Sequence, residues 1–148
     1  MNKKNILKVA IFAVLSIVII SMGTCLAAIK EPDSIQWSYI TSTSILLDKY
    51  AEYEDYDILE CAADTSSSYG TTAYIKMELK YYKDGKWQVY ETWEDSGNRL
   101  AAVGERIRVT PGYTYRVFTT HKVYSSSGAL LETFTDKSSN TVTSPSRS

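Results

Sequence analysis

Residues 72–82 read TAYIKMELKYY, and KDGK follows them at residues 83–86. Every second position of residues 72–82 is apolar or aromatic, namely Ala73, Ile75, Met77, Leu79 and Tyr81. The positions between them are tyrosine or charged, namely Tyr74, Lys76, Glu78, Lys80 and Tyr82. Successive side chains of a strand point to opposite faces of a sheet. The alternation therefore predicts a half-buried strand with a charged outer face.

The residues after this strand predict a hairpin. Asp84-Gly85 is a pair that favours a tight two-residue turn. The strand then returns over residues 87–94. We predict that its inner face carries Trp87, Val89, Glu91 and Trp93, which places Tyr90 on the outer face.

Similar alternation continues through the rest of the chain. Residues 113–124 predict a strand with an inner face made by Tyr115, Val117, Thr119 and Val123, and residues 129–137 predict its return, continued after a bend to Val142. Residues 37–47, the alternating Leu59, Cys61 and Ala63, and residues 106–109 bring the total to about seven strands. This count, with Gly and Ser turns between strands, predicts an all-β immunoglobulin or fibronectin III-like sandwich. A jelly roll or a small barrel is the alternative.

Residues 1–28 have a different composition from the rest of the chain. Lysines precede an apolar stretch at residues 9–22, and small residues follow at 25–28. This is the layout of a secretory signal peptide, cleaved after Ala27 or Ala28. We therefore predict a signal-peptide helix and a secreted protein. The alternative is an uncleaved segment that anchors the protein in a membrane.

The predicted mature chain is one domain at residues 29–143 with a disordered tail at 144–148. It retains 13 basic and 17 acidic residues, a net charge of −4. Nucleic acids and anionic lipids bind through clustered Lys and Arg, so this balance argues against both as partners. Contact with a membrane is expected only if the leader stays attached.

Few residues of the mature chain are suited to catalysis or to holding a metal. Cys61 is its only cysteine, so no internal disulfide forms, and its place in an alternating strand predicts an inert, buried filler. His121 is the only histidine, and we predict a strand-end residue rather than a ligand or a base. The acidic residues from Asp48 to Asp57 predict a solvated loop, with calcium binding as the alternative. We expect no catalytic residues, no cofactor and no metal.

The stretch PGYTYRV, residues 111–117, predicts a tyrosine corner. In immunoglobulin-like sandwiches, a tyrosine near the start of the penultimate strand bonds back to the preceding loop. We assign this role to Tyr113, with Tyr115 as the core position and Cys61 at the place of the second-strand cysteine. With Leu59-Glu60-Cys61 and the Lys83–Trp87 turn, this stretch resembles small secreted Gram-positive bacterial proteins of unassigned function. The resemblance implies export and a single immunoglobulin-like domain, and it implies no active site.

The outer faces of the predicted strands carry the candidate binding residues, namely Tyr74, Tyr82, Tyr90, Arg116, Phe118 and Tyr124. Exposed aromatics stack on sugar rings or pack against another protein, whereas the alternative is that cross-strand aromatic pairs only stabilise the sheet. The sequence therefore favours a non-catalytic module for binding or adhesion outside the cell, with an unidentified protein or glycan as its partner. A carbohydrate-binding domain and an enzyme with an unfamiliar site are the alternatives.

Overall fold

The computed structural model describes residues 37–147, so the predicted signal peptide and residues 29–36 lie outside the described part. The strands are β1 (Ile40–Glu52), β2 (Asp57–Ser67), β3 (Thr71–Lys83), β4 (Lys86–Asn98), β5 (Leu100–Val109), β6 (Tyr113–Ser125), β7 (Leu130–Lys137) and β8 (Val142–Ser144). Over residues 37–147 the structure contains no helix that could span a membrane.

The strands form two antiparallel sheets that make a β-sandwich. One sheet has three strands in the order β1-β2-β5, and the other has the order β4-β3-β6-β7, with β8 also paired to β6. The predicted all-β sandwich is confirmed. Eight strands occur in place of about seven because the last predicted strand is interrupted after Lys137 and resumes at Val142.

The core lies between the two sheets. The three-stranded sheet contributes Leu59, Cys61 and Ala63, and the five-stranded sheet contributes Ala73, Ile75, Met77, Leu79, Tyr115 and Val117. The alternation predicted for these strands is confirmed, since all of these side chains are buried. Burying an aliphatic side chain of this size contributes about 1.5–3 kcal/mol. Within the described residues no disulfide supports this packing, because Cys61 is free.

The predicted β3–β4 hairpin is confirmed, and its turn has the geometry that the Asp-Gly pair favours. Asp84 and Gly85 have φ angles of 52° and 79°. Two positive φ angles define a type I′ turn, whose twist matches that of the flanking strands. The turn pairs Lys83 with Lys86 and Tyr82 with Trp87.

The predicted faces of β4 are wrong in its first half. Trp87 pairs with Tyr82, and Val89 pairs with Lys80, so both side chains share the outer face with these partners. A β-bulge follows, because Lys80 pairs with Val89 whereas Leu79 pairs with Glu91. The extra residue is Tyr90, and it reverses the alternation. Trp93 is therefore back on the inner face, where it packs against the core as predicted.

The C-terminal residues up to Arg147 pack on the sandwich, in contrast to the disordered tail predicted from Ser144. Ser144 ends β8 and is fully buried. Beyond it, the Arg147 guanidinium donates to Asp57 Oδ1 at 2.5 Å and also to the carbonyl of Tyr53. These contacts join the end of the chain to the turn between β1 and β2.

Candidate functional site

Five of the six predicted binding residues lie on the outer face of the five-stranded sheet. They are Tyr74 and Tyr82 of β3 and Arg116, Phe118 and Tyr124 of β6. Each lies next to a residue of the inner face in a strand of strict alternation. β3 and β6 are direct neighbours, so one surface carries all five side chains.

Three aromatic rings and a lysine on this face form a continuous group, which we call the Trp87 cluster: Tyr82, Trp87, Phe118 and Lys80. The ring centroids of Tyr82 and Trp87 are 5.2 Å apart, and those of Trp87 and Phe118 are 5.6 Å apart. Adjacent rings are inclined at 61° in both pairs. The Lys80 ammonium lies 4.8 Å from the Phe118 centroid, within the range of a cation–π contact.

A shallow depression of about 450 Å³ lies beside the Trp87 cluster and shares Lys80 and Phe118 with it. Charged and hydroxyl side chains form much of its remaining lining, including Glu78, Thr120, Thr135 and Lys137. Glu78 accepts ion pairs from Lys76 at 3.0 Å and Lys80 at 3.1 Å. Burial raises the pKa of Glu78, but the two lysines more than offset this effect and hold the pKa below its usual value. The depression therefore combines a charged carboxylate, cations and an aromatic ring.

A second aromatic group lies at the other end of the same face. The Tyr74 and Tyr124 rings meet edge to face with centroids 6.5 Å apart, and the Lys122 ammonium lies 5.2 Å from the Tyr74 centroid. Burial, followed by a hydrogen bond with Glu94, raises the pKa of Tyr74 to about 12. Tyr74 is therefore neutral near pH 7. The predicted aromatics thus form two separate groups rather than one platform.

The Arg116 guanidinium is hydrogen-bonded within the protein. Its Nε and one terminal nitrogen donate to the carbonyl of Ser138 at 2.8 Å and 2.6 Å. The Ser138 hydroxyl in turn accepts a hydrogen bond from the backbone amide of Val117 at 3.3 Å. Arg116 therefore fixes the segment between β7 and β8, and only the rest of its side chain is available to a partner.

Tyr90 does not belong to the outer face, contrary to the prediction. Because it is the extra residue of the bulge, its ring packs on the core side, against Tyr81 at 6.2 Å and Tyr115 at 5.6 Å between centroids. Its hydroxyl donates to the carbonyl of Arg108 at 3.1 Å. Trp87 was the residue missed on the outer face. The two-residue turn was a usable signal for it, since such a turn makes Tyr82 and Trp87 direct partners.

His121 is a core residue rather than the predicted strand-end residue. It lies within β6 and is fully buried, with Nδ1 2.8 Å from the Thr65 hydroxyl and Nε2 2.8 Å from the Thr119 hydroxyl. Its ring stacks on Phe134 with centroids 5.8 Å apart. Burial lowers the pKa of His121, against a smaller opposing effect of Asp136 and Asp64. The imidazole is therefore neutral near pH 7.

The acidic segment from Asp48 to Asp57 is not one solvated loop. Its first residues belong to β1, and Asp57 begins β2 with a fully buried side chain. Arg147 and Lys49 lie 2.5 Å and 3.5 Å from the Asp57 carboxylate. Burial raises the pKa of Asp57, but the Ser144 hydroxyl, Lys49 and Arg147 together bring it below its usual value. Over residues 37–147, no three acidic, histidine or cysteine side chains are grouped as a metal site.

The tyrosine corner is formed by Tyr115 rather than by Tyr113. The Tyr115 hydroxyl donates to the carbonyl of Thr110 at 2.7 Å, and its ring is fully buried. The core position two residues later is Val117. The predicted corner residue is therefore wrong by two residues. Tyr113, Tyr115 and Val117 all lie on the inner side of β6, so the alternation alone does not distinguish Tyr113 from Tyr115.

Cys61 is fully buried, as predicted for an apolar filler. Burial raises the pKa of its thiol to about 12, with a smaller contribution from Glu60. A thiol with this pKa holds very little thiolate at neutral pH, and the thiolate is the reactive form.

Comparison with known proteins finds no family model and no curated protein that matches this chain.

Proposed function

We propose that this protein is a secreted, non-catalytic binding module of the immunoglobulin or fibronectin III-like kind. The strand order supports this class, because β4 extends the sheet of β3 and β6 as an added strand does in variable-type sandwiches. The Tyr115 hydroxyl bond to Thr110 supports it independently. Export rests on the leader at residues 1–28 and on the resemblance to small secreted Gram-positive proteins.

The observation that carries the proposal is the Trp87 cluster beside its depression on the outer sheet face. Tyr82 has 47% of its surface exposed, although its ring packs against Trp87, the central ring of the cluster. Aromatic side chains supply contact area at low entropic cost, and they are enriched at protein interfaces. Lys80, Glu78 and Lys137 provide a polar rim around the rings. An aromatic centre with a polar rim is the usual composition of a binding site for another protein.

The ring geometry favours a protein partner over a glycan. Neighbouring rings of the Trp87 cluster are inclined at 61°, and Lys80 lies against the Phe118 ring. A flat polysaccharide chain stacks best on rings that share a plane. Inclined rings instead form an uneven surface, against which protein side chains pack. A carbohydrate-binding domain is the second candidate, supported by the Thr120, Thr135 and Glu78 groups that are suited to sugar hydroxyls.

The surroundings of three titratable side chains, His121, Asp57 and Cys61, support a non-catalytic function. His121 is neutral and hydrogen-bonded on both ring nitrogens. Asp57 is paired with Arg147, and Cys61 is a buried thiol with a pKa of about 12. An active site needs such groups to converge at an accessible pocket. Here all three side chains are buried, His121 and Asp57 are bound to other residues of the protein, and Cys61 is a free thiol among apolar side chains.

The experiment is a binding screen of the purified protein against a panel of extracellular proteins and a glycan array. Each positive partner is then measured with Trp87→Ala and with the matched control Tyr50→Ala, an exposed tyrosine of the other sheet. We expect a protein partner whose affinity falls about tenfold or more with Trp87→Ala and is unchanged with Tyr50→Ala. A glycan partner lost with Trp87→Ala would establish the second candidate. Binding that ignores Trp87→Ala would refute the outer-face site.

A further inference from the structure

Four tyrosines line a cavity of about 210 Å³ at the bulge of β4, on the inner side of the sheet and away from the Trp87 cluster. They are Tyr81, Tyr90, Tyr113 and Tyr115, and Thr110 is the remaining lining residue. Every lining residue is uncharged. The side chains come from three strands, β3, β4 and β6, so the bulge is what brings Tyr90 to the other three.

The four rings stand nearly at right angles to their neighbours. The interplanar angles are 72° for Tyr81 and Tyr113, 86° for Tyr81 and Tyr90, and 88° for Tyr90 and Tyr115. The centroids are between 5.1 Å and 6.2 Å apart along this chain of contacts. Tyr81, Tyr90 and Tyr113 are only partly buried, so their rings can form walls around a ligand, whereas the fully buried Tyr115 ring packs behind Tyr90. The negative face of an aromatic ring attracts cations, and several such faces around one space make an aromatic cage.

Several aromatic rings outside the cage are already covered by a cation of the protein itself. Five rings elsewhere each have a cation of the chain over their face, for example Arg106 at 3.6 Å over Tyr50 and Arg108 at 3.7 Å over Tyr56. Within residues 37–147, no Lys or Arg lies over any of the four cage rings. The faces of the cage rings are therefore free of cation–π contacts with the described lysines and arginines.

The hydroxyl groups of the cage hold the rings in place. Tyr81 donates to Gln88 Oε1 at 2.9 Å, Tyr90 to the carbonyl of Arg108 at 3.1 Å, and Tyr115 to the carbonyl of Thr110 at 2.7 Å. The walls are therefore preorganised, and preorganisation lowers the cost of binding. No carboxylate lines the cavity to accept the three N–H groups of a primary ammonium ion. A quaternary ammonium ion has no N–H group and needs no acceptor.

We propose that this tyrosine cage binds a quaternary ammonium group, as carried by choline and its derivatives. The site is separate from the proposed outer-face interface, and each stands or falls without the other. The acidic balance of the chain after residue 28, 13 basic against 17 acidic residues, favours the approach of a cation.

The experiment is a titration of the purified protein with choline chloride and, in parallel, with 3,3-dimethylbutan-1-ol, the neutral carbon isostere of choline. Tyrosine ring resonances followed by NMR report the binding. We expect choline to bind about tenfold more tightly than the isostere, since only the charge differs. Equal affinities would show a merely apolar pocket, and no shift with choline would show no site. Either result overturns the proposal.

Variants locate the site. Tyr90→Leu removes one wall and should weaken choline binding about tenfold, whereas Tyr90→Phe keeps the ring and should retain it within about threefold. Tyr74→Leu, on the outer face, is the matched control and should leave the affinity unchanged. Unchanged binding in Tyr90→Leu would place the cation elsewhere and overturn the proposal. If that variant fails to fold, the comparison of choline with its isostere on the native protein decides alone.

Discussion

The hydroxyl of Tyr115 donates a hydrogen bond of 2.7 Å to the carbonyl of Thr110, which joins β6 to the turn that precedes it. The bond closes a loop over the four residues 111–114 that lie between donor and acceptor. We expect Tyr115→Phe to lower the free energy of unfolding by about 1 kcal/mol, because a net hydrogen bond is lost while the ring packing stays. Urea denaturation measures this change. Tyr113→Phe is the matched control, and a larger loss there than in Tyr115→Phe would contradict the assignment of the corner.

The pair of Arg147 and Asp57 predicts that the C-terminal residues stabilise the domain. Asp57 is fully buried and Arg147 is only 22% exposed, so water screens this pair weakly. Arg147→Ala leaves the buried carboxylate with Lys49 and the Ser144 hydroxyl, and we expect a loss of about 2 kcal/mol. Arg106→Ala is the matched control, because its pair with Glu60 is exposed and such pairs contribute about 1 kcal/mol or less. Equal effects of the two variants in urea denaturation would show that the Asp57 pair is not special.

His121 predicts a loss of stability in weak acid. Its folded pKa lies below the ordinary value of 6.5, so the unfolded chain binds a proton that the folded chain does not. Stability is therefore full above pH 6.5 and falls as the pH drops below it, by at most about 1.4 kcal/mol for each pH unit. Protonation of the carboxylates whose pKa is lowered, including Asp57, reduces stability only at lower pH. The ordinary pKa values of these groups are 3.8 for Asp and 4.5 for Glu.

The measurement for His121 is the free energy of unfolding at several pH values between 7 and about 5, for the native protein and for His121→Gln. The variant keeps polar atoms near Thr65 and Thr119 but has no titratable ring. We expect the slope to disappear in the variant. A slope that persists would assign the acid sensitivity to other groups.

Cys61 predicts slow modification of the folded protein. Its thiol is fully buried and has a pKa of about 12, so both access and thiolate are lacking at pH 8. A thiol reagent should label the native protein only as fast as it opens, and the urea-unfolded protein at once. Cys61→Ala should fold and lose about 1 kcal/mol or somewhat more through the smaller side chain. Rapid labelling of the native state would contradict the observed burial.

The sequence predicted the fold where a single alternation runs through a whole strand. In β3, Ile75, Met77 and Leu79 are all buried, as their spacing indicates. It failed in β4, because a bulge inserts one residue without any marker in the local composition. A bulge reverses the alternation between the residues before it and those after it. A single alternation that places Trp93 correctly therefore puts Trp87, which precedes the bulge, on the wrong face, and Tyr90 is itself the extra residue.

The burial of individual polar residues also could not be predicted from the sequence. His121 is buried because hydroxyls of Thr65, on the other sheet, and Thr119 satisfy its ring nitrogens. Asp57 is buried because Arg147 reaches it from 90 residues away along the chain. Such long-range partners depend on how the strands pair, and the local pattern shows only an isolated polar residue. The burial of Cys61 was predictable because it needs no partner.

The footprint of a bound partner shows whether the outer face around the Trp87 cluster is the surface that receives it. NMR chemical-shift mapping of the protein with a partner from the binding screen gives that footprint, with the Trp87 indole N–H as an internal reporter. We predict shifts at Trp87, Phe118 and Lys80 and at their neighbours on β3 and β6, with little change in the sheet β1-β2-β5. Shifts confined to the loops or to the three-stranded sheet would contradict this placement of the site, and the Trp87 cluster would then serve only to stabilise its own sheet.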